Sequence, residues 1–175
     1  MALLPFLGAG QTHVEGNYKE QVRRGIYFIL NSMKSKENNV GELWEPEGRM
    51  YSHAIATIVL CEAYGMTNDE ELMVPAQMAV NYLVWAQIAN DGGWRYTVDD
   101  PRGDMSIVGW VFMALKSAHM AYLDVNPNTI RRASSYLDGM QNSAGAGYGY
   151  EGARPNTSAH ASTHASIDFE RVAPM

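Results

Sequence analysis

The side chains that could do chemistry are few and spread along 175 residues. Asp99, Asp100 and Asp104 gather in the loop TVDDPRGD. Clustered carboxylates can raise one another's pKa far enough to make an acid. The plainer role for Asp104 is to help cap the helix that follows, leaving the other two solvated. His160 and His164 stand four residues apart, a spacing at which two imidazoles on one helix face can chelate a metal. No glutamate follows the first histidine as in H-E-x-x-H, and the surrounding tail is irregular, so no metal is assigned. Cys61 is the single cysteine, which excludes an intramolecular disulfide and any Cys-only metal site. Within an apolar run it reads as a small buried hydrophobe. His53 lies beside a helix start, where a satisfied histidine is the default reading, while His13 and His119 carry no signal. GAGYGY follows no strand and is a turn between helices, not a phosphate loop. No Ser/His/Asp arrangement is readable from the spacing, and no cofactor is called for.

Composition narrows the function classes. A hydrophobic content of 46% with 18% charged residues describes a chain that can bury a core. The net charge of −6 and a pI near 5.3 argue against nucleic acid or an anionic membrane as main partner. The opening MALLPFLGAGQTH lacks a basic n-region and is broken by Pro5, so it is read as neither signal peptide nor membrane span. The chain as given is expected to be soluble, in no assignable compartment.

The elements that must position these residues are helices. Residues 2–10 read as a helix end closed by Gly8 and Gly10, which suggests a piece of something longer. Asn17 with Glu20 reads as a capping box for a helix from Tyr18 to about Met33, its apolar face being Val22, Ile26, Ile29 and Leu30. A polar loop, KSKENNVGELWEPEGR, follows. Ser52 is expected to cap a helix running to Gly65, and Pro75 to open one over Ala76–Gln87. After the turn NDGGWRY, Ser106 is expected to cap a helix to about Leu123. Asn126-Pro127 then opens a helix over Thr129–Gln141. The tail from Thr157 should be the next helix but carries few large apolar residues.

The helices recur. Gly25, Ala79 and Ala133 are 54 residues apart, as are Met33, Gln87 and Gln141. From Gln87, Trp94 and Tyr96 lie at +7 and +9; from Gln141, Tyr148 and Tyr150 lie at the same offsets. Such a period marks helical hairpins that bury their second face only by stacking on neighbours. The units fall at about 18–66, 76–123 and 127–170, within one α/α repeat domain over 1–175.

Ala79, Tyr82, Leu83, Gln87, Gly93 and Trp94 form a pattern that resembles the QW motif of the terpenoid cyclases. Ala133, Tyr136, Leu137, Gln141, Gly147 and Tyr148 repeat it with Tyr for Trp, and Gly25, Phe28, Ile29 and Trp44 repeat it loosely. Over residues 2–157 the chain is similar to the squalene-hopene cyclase and protein prenyltransferase β-subunit superfamily, in particular to bacterial proteins with prenyltransferase/squalene-oxidase repeats. The resemblance implies an all-α, α/α-toroid-like array around a hollow, here with about three and a half hairpins of the six a closed ring needs. Such a partial ring would be an open crescent, a fragment, or a half closed by a second copy, and self-association is expected. It implies a structural brace for Gln87, Gly93, Trp94, Gln141, Gly147, Tyr148 and Trp44, and a cavity wall for Tyr96, Trp110, Tyr150 and His53. The family's alkene-protonating motif, Asp-x-Asp-Asp, would fall on residues 101–104. Only Asp104 matches, and Gly103 holds the proton donor's place. The prenyltransferase zinc set would need Asp, Cys and His, yet no Asp stands two residues before Cys61. The resulting expectation is a non-catalytic scaffold or binding module for an apolar or isoprenoid ligand or a protein partner. The alternative is part of a cyclase or prenyltransferase whose catalytic residues lie outside this chain.

Overall fold

The computed structural model describes residues 1–141 and 147–150. Among them, in chain order, are helices α1 (Leu3–Gly8), α2 (Lys19–Ser32), α3 (Arg49–Thr67), α4 (Glu70–Trp85), α5 (Met105–Met120) and α6 (Pro127–Met140). A single antiparallel pair, β1 (Lys34–Lys36) and β2 (Val40–Glu42), lies between α2 and α3. The chain is thus predominantly α. No helix among the described residues is long and apolar enough to cross a membrane. The expected tail helix, the end of the third unit and the His160/His164 pair lie outside the described residues.

Side-chain caps decide three helix starts. Asp69 accepts from the Glu71 amide at 3.0 Å, Asp104 from Ser106 at 2.8 Å, and Asn126 from Asn128 at 2.9 Å with Pro127 at the first helical position. The structure departs from the sequence expectation at four places. Asn17 caps nothing: α2 begins after Tyr18 without a side-chain cap. Ser52 and Ser106 lie inside the first turns of α3 and α5, behind Gly48 and Asp104. Pro75 sits within α4, because Asp69 starts that helix earlier; the ring forfeits one backbone bond there. The polar loop after α2 contains the hairpin, with Lys34 opposite Glu42 and Lys36 opposite Val40. Asn38 and Asn39 turn it at φ +59, a left-handed conformation that asparagine tolerates.

The core forms around α3 and α5. Tyr51 bonds Ser106 and Ser117 bonds Glu62, each pair at 2.6 Å and 55 residues apart, so the two helices run parallel and in register. Leu60 of α3 and Ile107, Val111 and Leu115 of α5 are fully buried, each worth about 1.5–3 kcal/mol of burial. Helices α2 and α6 bury one face only, Val22 and Ile26 in the first and Ala133, Tyr136 and Met140 in the second. Their bounds differ by 108 residues at both ends, twice the sequence period. The hairpin lies on α4, where Asn81 donates to the Asn39 carbonyl at 2.9 Å.

Candidate functional site

Gln87 comes two residues after α4, where the helix leaves backbone groups unpaired. Its amide donates to the carbonyls of Gly92 at 2.8 Å and Thr129 at 2.9 Å, tying the turn to the start of α6. Trp94 is fully buried and its indole donates to the Leu83 carbonyl at 2.8 Å. Arg132 of α6 reaches back to the Ile88 carbonyl at 2.6 Å. The glycines follow from this closeness. Gly92 has φ +82, and a Cβ there would stand 2.5 Å from the Arg132 carbonyl; one on Gly93 would stand 2.9 Å from the Tyr136 ring. The counterparts at the end of α6 are arranged differently. Gln141 is exposed and pairs through the backbone with Tyr148, beyond half-buried Gly147; Tyr148 is 56% exposed where Trp94 is 0%. Trp44 is half-buried between β2 and α3.

The second constellation stands at the N-terminal ends of α3 and α5. Asp104 is fully buried. Its Oδ1 accepts from the Ser106 amide and, at 2.5 Å, from the Ser106 hydroxyl. Because the Ser106 hydroxyl donates to Asp104, it is Tyr51 that donates to Ser106. Tyr96 and Tyr150 join hydroxyls at 2.8 Å beside them, and their backbone carbonyls accept from Met50 and Met105. Burial pushes the Asp104 carboxyl up. The Ser106 hydroxyl and amide, with the nearby Tyr150 and Tyr96 hydroxyls, outweigh that and hold it below the ordinary carboxylate value. The Tyr96 hydroxyl is pushed well above the usual phenol range, first by its bond to Tyr150, then by burial and the Asp104 carboxylate. Asp104 Oδ2 is buried and closes no hydrogen bond among the described residues. The cluster therefore presents an ionised acceptor ringed by hydroxyls, suited to accepting a hydrogen bond rather than to giving a proton. The other acids of the loop do not join it: Asp99 is exposed, and Asp100 accepts from the Thr97 amide and hydroxyl.

His53, a cavity-wall candidate whose default reading is a satisfied histidine, is a fully buried core strut. Its Nδ1 accepts from the Leu43 amide at 3.0 Å, so Nε2 carries the proton and donates to the Ala79 carbonyl at 3.0 Å. Burial, against the Ala79 bond, lowers its pKa from 6.5 to about 4. Trp110 is half-buried on α5. Cys61 is fully buried, and burial, then Glu62, pushes its thiol far up. Among the described residues no three His, Cys, Asp or Glu side chains gather to hold a metal. Surface cavities lie elsewhere. One of about 450 Å³ is lined by His13, Arg23, Ile26, Tyr27, Asp69 and Leu72; another of about 240 Å³ by Asp91, Arg102, Gly103, Tyr136 and Met140. His13, unremarkable in sequence, bonds the cap residue Asp69 at 2.8 Å across 56 residues, a separation no local pattern reveals. No protein-family model, curated protein or solved structure matches this chain.

Proposed function

We propose that the chain is a non-catalytic α/α repeat segment of the terpenoid-cyclase and prenyltransferase kind, an open toroid-like scaffold that binds an apolar ligand or a protein partner. The observation that carries this reading is the state of Asp104. The one fully buried carboxylate among the described residues is engaged as a helix cap and held ionised, so an acid able to protonate an alkene is not at hand. The recurrence of Tyr51–Ser106, Glu62–Ser117 and Tyr96–Tyr150 contacts at separations of 54 or 55 residues supports the stacked-hairpin part. The aromatic residues then serve as packing and as an apolar surface. Incubation with squalene or a prenyl diphosphate, followed by mass spectrometry, is expected to return the substrate unchanged. A cyclised or transferred product that Asp104→Asn abolishes would overturn the reading in favour of a cyclase or prenyltransferase part.

A further inference from the structure

Two surface cavities correspond to one another at the sequence period. Arg23, Tyr27 and Asp69 line the one of about 450 Å³; Gln77, Asn81 and Leu123, each 54 residues on, line another of about 210 Å³. The smaller cavity is lined by no charged residue, and an amide draws it shut. Gln77 donates to the Asp124 carbonyl at 2.9 Å and accepts from the Asp124 amide at 2.8 Å. In the larger cavity Arg23 takes the place of Gln77 and donates instead to the His13 carbonyl at 3.3 Å. Charge gathers there: Arg23 of α2 faces the same space as Asp69 and Glu71 at the start of α4.

The two signs are held apart. Arg23 is bonded to the His13 backbone, while the His13 ring bonds Asp69 Oδ2 at 2.8 Å. Arg23 and Asp69 form no ion pair with one another among the described residues; Arg23 meets only the exposed Glu20, at 3.4 Å, a contact of little strength. The His13 bond, then the Glu71 amide, hold the Asp69 carboxyl below the usual carboxylate range, so His13 Nε2 is the donor to it. In the neutral ring Nδ1 is then an acceptor, and it is buried and closes no hydrogen bond among the described residues. A buried acceptor in that state favours a donor brought from outside the chain. Between the charges the lining is apolar, with Ile26 and Leu72 buried and Leu30 half-buried.

We propose that this cavity binds a small zwitterion with an apolar side chain, an α-amino acid. Its carboxylate would pair with Arg23, its ammonium with Asp69 and Glu71, and its side chain would lie on Ile26, Leu30 and Leu72. A lone anion would face two carboxylates and a lone cation would face the guanidinium, whereas a molecule carrying both charges answers each. Apolar walls with a few polar groups, at this volume, are the usual form of a small-molecule site.

Isothermal titration calorimetry of the full chain with L-leucine, to about 10 mM, tests this, since a millimolar site would saturate there. Saturable one-to-one binding is expected. Leucinamide, which lacks the carboxylate, and 4-methylpentanoate, which lacks the ammonium, should each bind at least about tenfold more weakly, the worth of one charge-assisted bond. Glycine, without the apolar chain, should not saturate. Arg23→Gln should shrink the margin of leucine over leucinamide, and Glu71→Gln the margin over 4-methylpentanoate; both side chains are exposed, so circular dichroism should be unchanged. The wild-type comparison stands whether or not either variant folds. No saturable heat with L-leucine, equal binding of leucinamide or of 4-methylpentanoate, or margins that neither folded variant alters would overturn the proposal.

Discussion

His53 should make the fold sensitive to mild acid, and the size of the effect follows from its surroundings. Its ring is fully buried, with Nδ1 accepting from Leu43 and Nε2 donating to Ala79, so the fold holds it neutral. A folded pKa of about 4 against 6.5 in the unfolded chain means that, as pH falls through 6.5, the unfolded state takes up a proton the folded state refuses. Stability is therefore intact above pH 6.5, declines as pH falls toward 4, and loses nothing further from this group below it. The full loss is about 3 kcal/mol, of which about 2 kcal/mol is spent between about pH 7.5 and about pH 5. Urea denaturation at these two values measures it, with His53→Gln as the control. The glutamine amide can still donate to Ala79 but leaves the Leu43 amide unpaired, so the variant loses about 1–3 kcal/mol at both pH values. What it no longer has is the slope. Wild-type stability should converge on the variant's by about 2 kcal/mol as the solution is acidified, whereas carboxylates, common to both, cancel. Parallel pH profiles for the two proteins would refute the assignment of His53 as a neutral core strut.

Two glycines should respond to alanine with opposite signs. Gly103→Ala drives a Cβ to within 2.8 Å of the Tyr136 ring and should cost about 1–3 kcal/mol, while Gly109→Ala, in open space on α5, should gain about 0.5–1 kcal/mol, both read by thermal denaturation. Asp104→Ala removes the α5 cap and should cost about 0.5–2 kcal/mol near neutral pH. Because the folded carboxyl titrates below its ordinary value, that deficit should shrink as pH falls through the carboxylate range; a deficit that grows there would contradict it. Cys61 should react with a thiol reagent only as fast as the protein unfolds, since its thiol is buried and kept protonated; rapid labelling of the native protein would contradict this.

Residues whose partners lie within one turn were legible in the sequence, and those whose partners lie far away were not. Asn126-Pro127 opens α6 as its types demand, the Asn126 side chain bonding the Asn128 amide two residues on. Pro75 misled because proline signals a first turn only when no better cap precedes it, and Asp69 does. The hairpin stayed hidden because strands this short carry no usable alternation, although Asn38-Asn39 is a turn signal. His53 could be placed at a helix start and read by default as a satisfied histidine, but its ring partners, Leu43 and Ala79, could not be named, being 10 and 26 residues away.

The two acidic caps show how one residue type is drawn to structural or chemical work by its neighbours. Asp69 and Asp104 each end a connector and each bond the amide two residues on. Asp69 is further held by His13, whose hydrogen bond does most to lower the carboxyl's pKa, and it remains part-exposed. Asp104 instead loses all contact with water, and burial alone would make it an acid. It does not become one because Ser106 sends both an amide and a hydroxyl to the same oxygen, and Tyr51 stands behind that hydroxyl. Charge-assisted hydrogen bonds of this kind outweigh desolvation when they converge on one carboxylate. The serine two places after the aspartate is thus what separates a cap from a proton donor here: without its hydroxyl, burial would gain on the remaining donors and the carboxyl would move toward the protonated form.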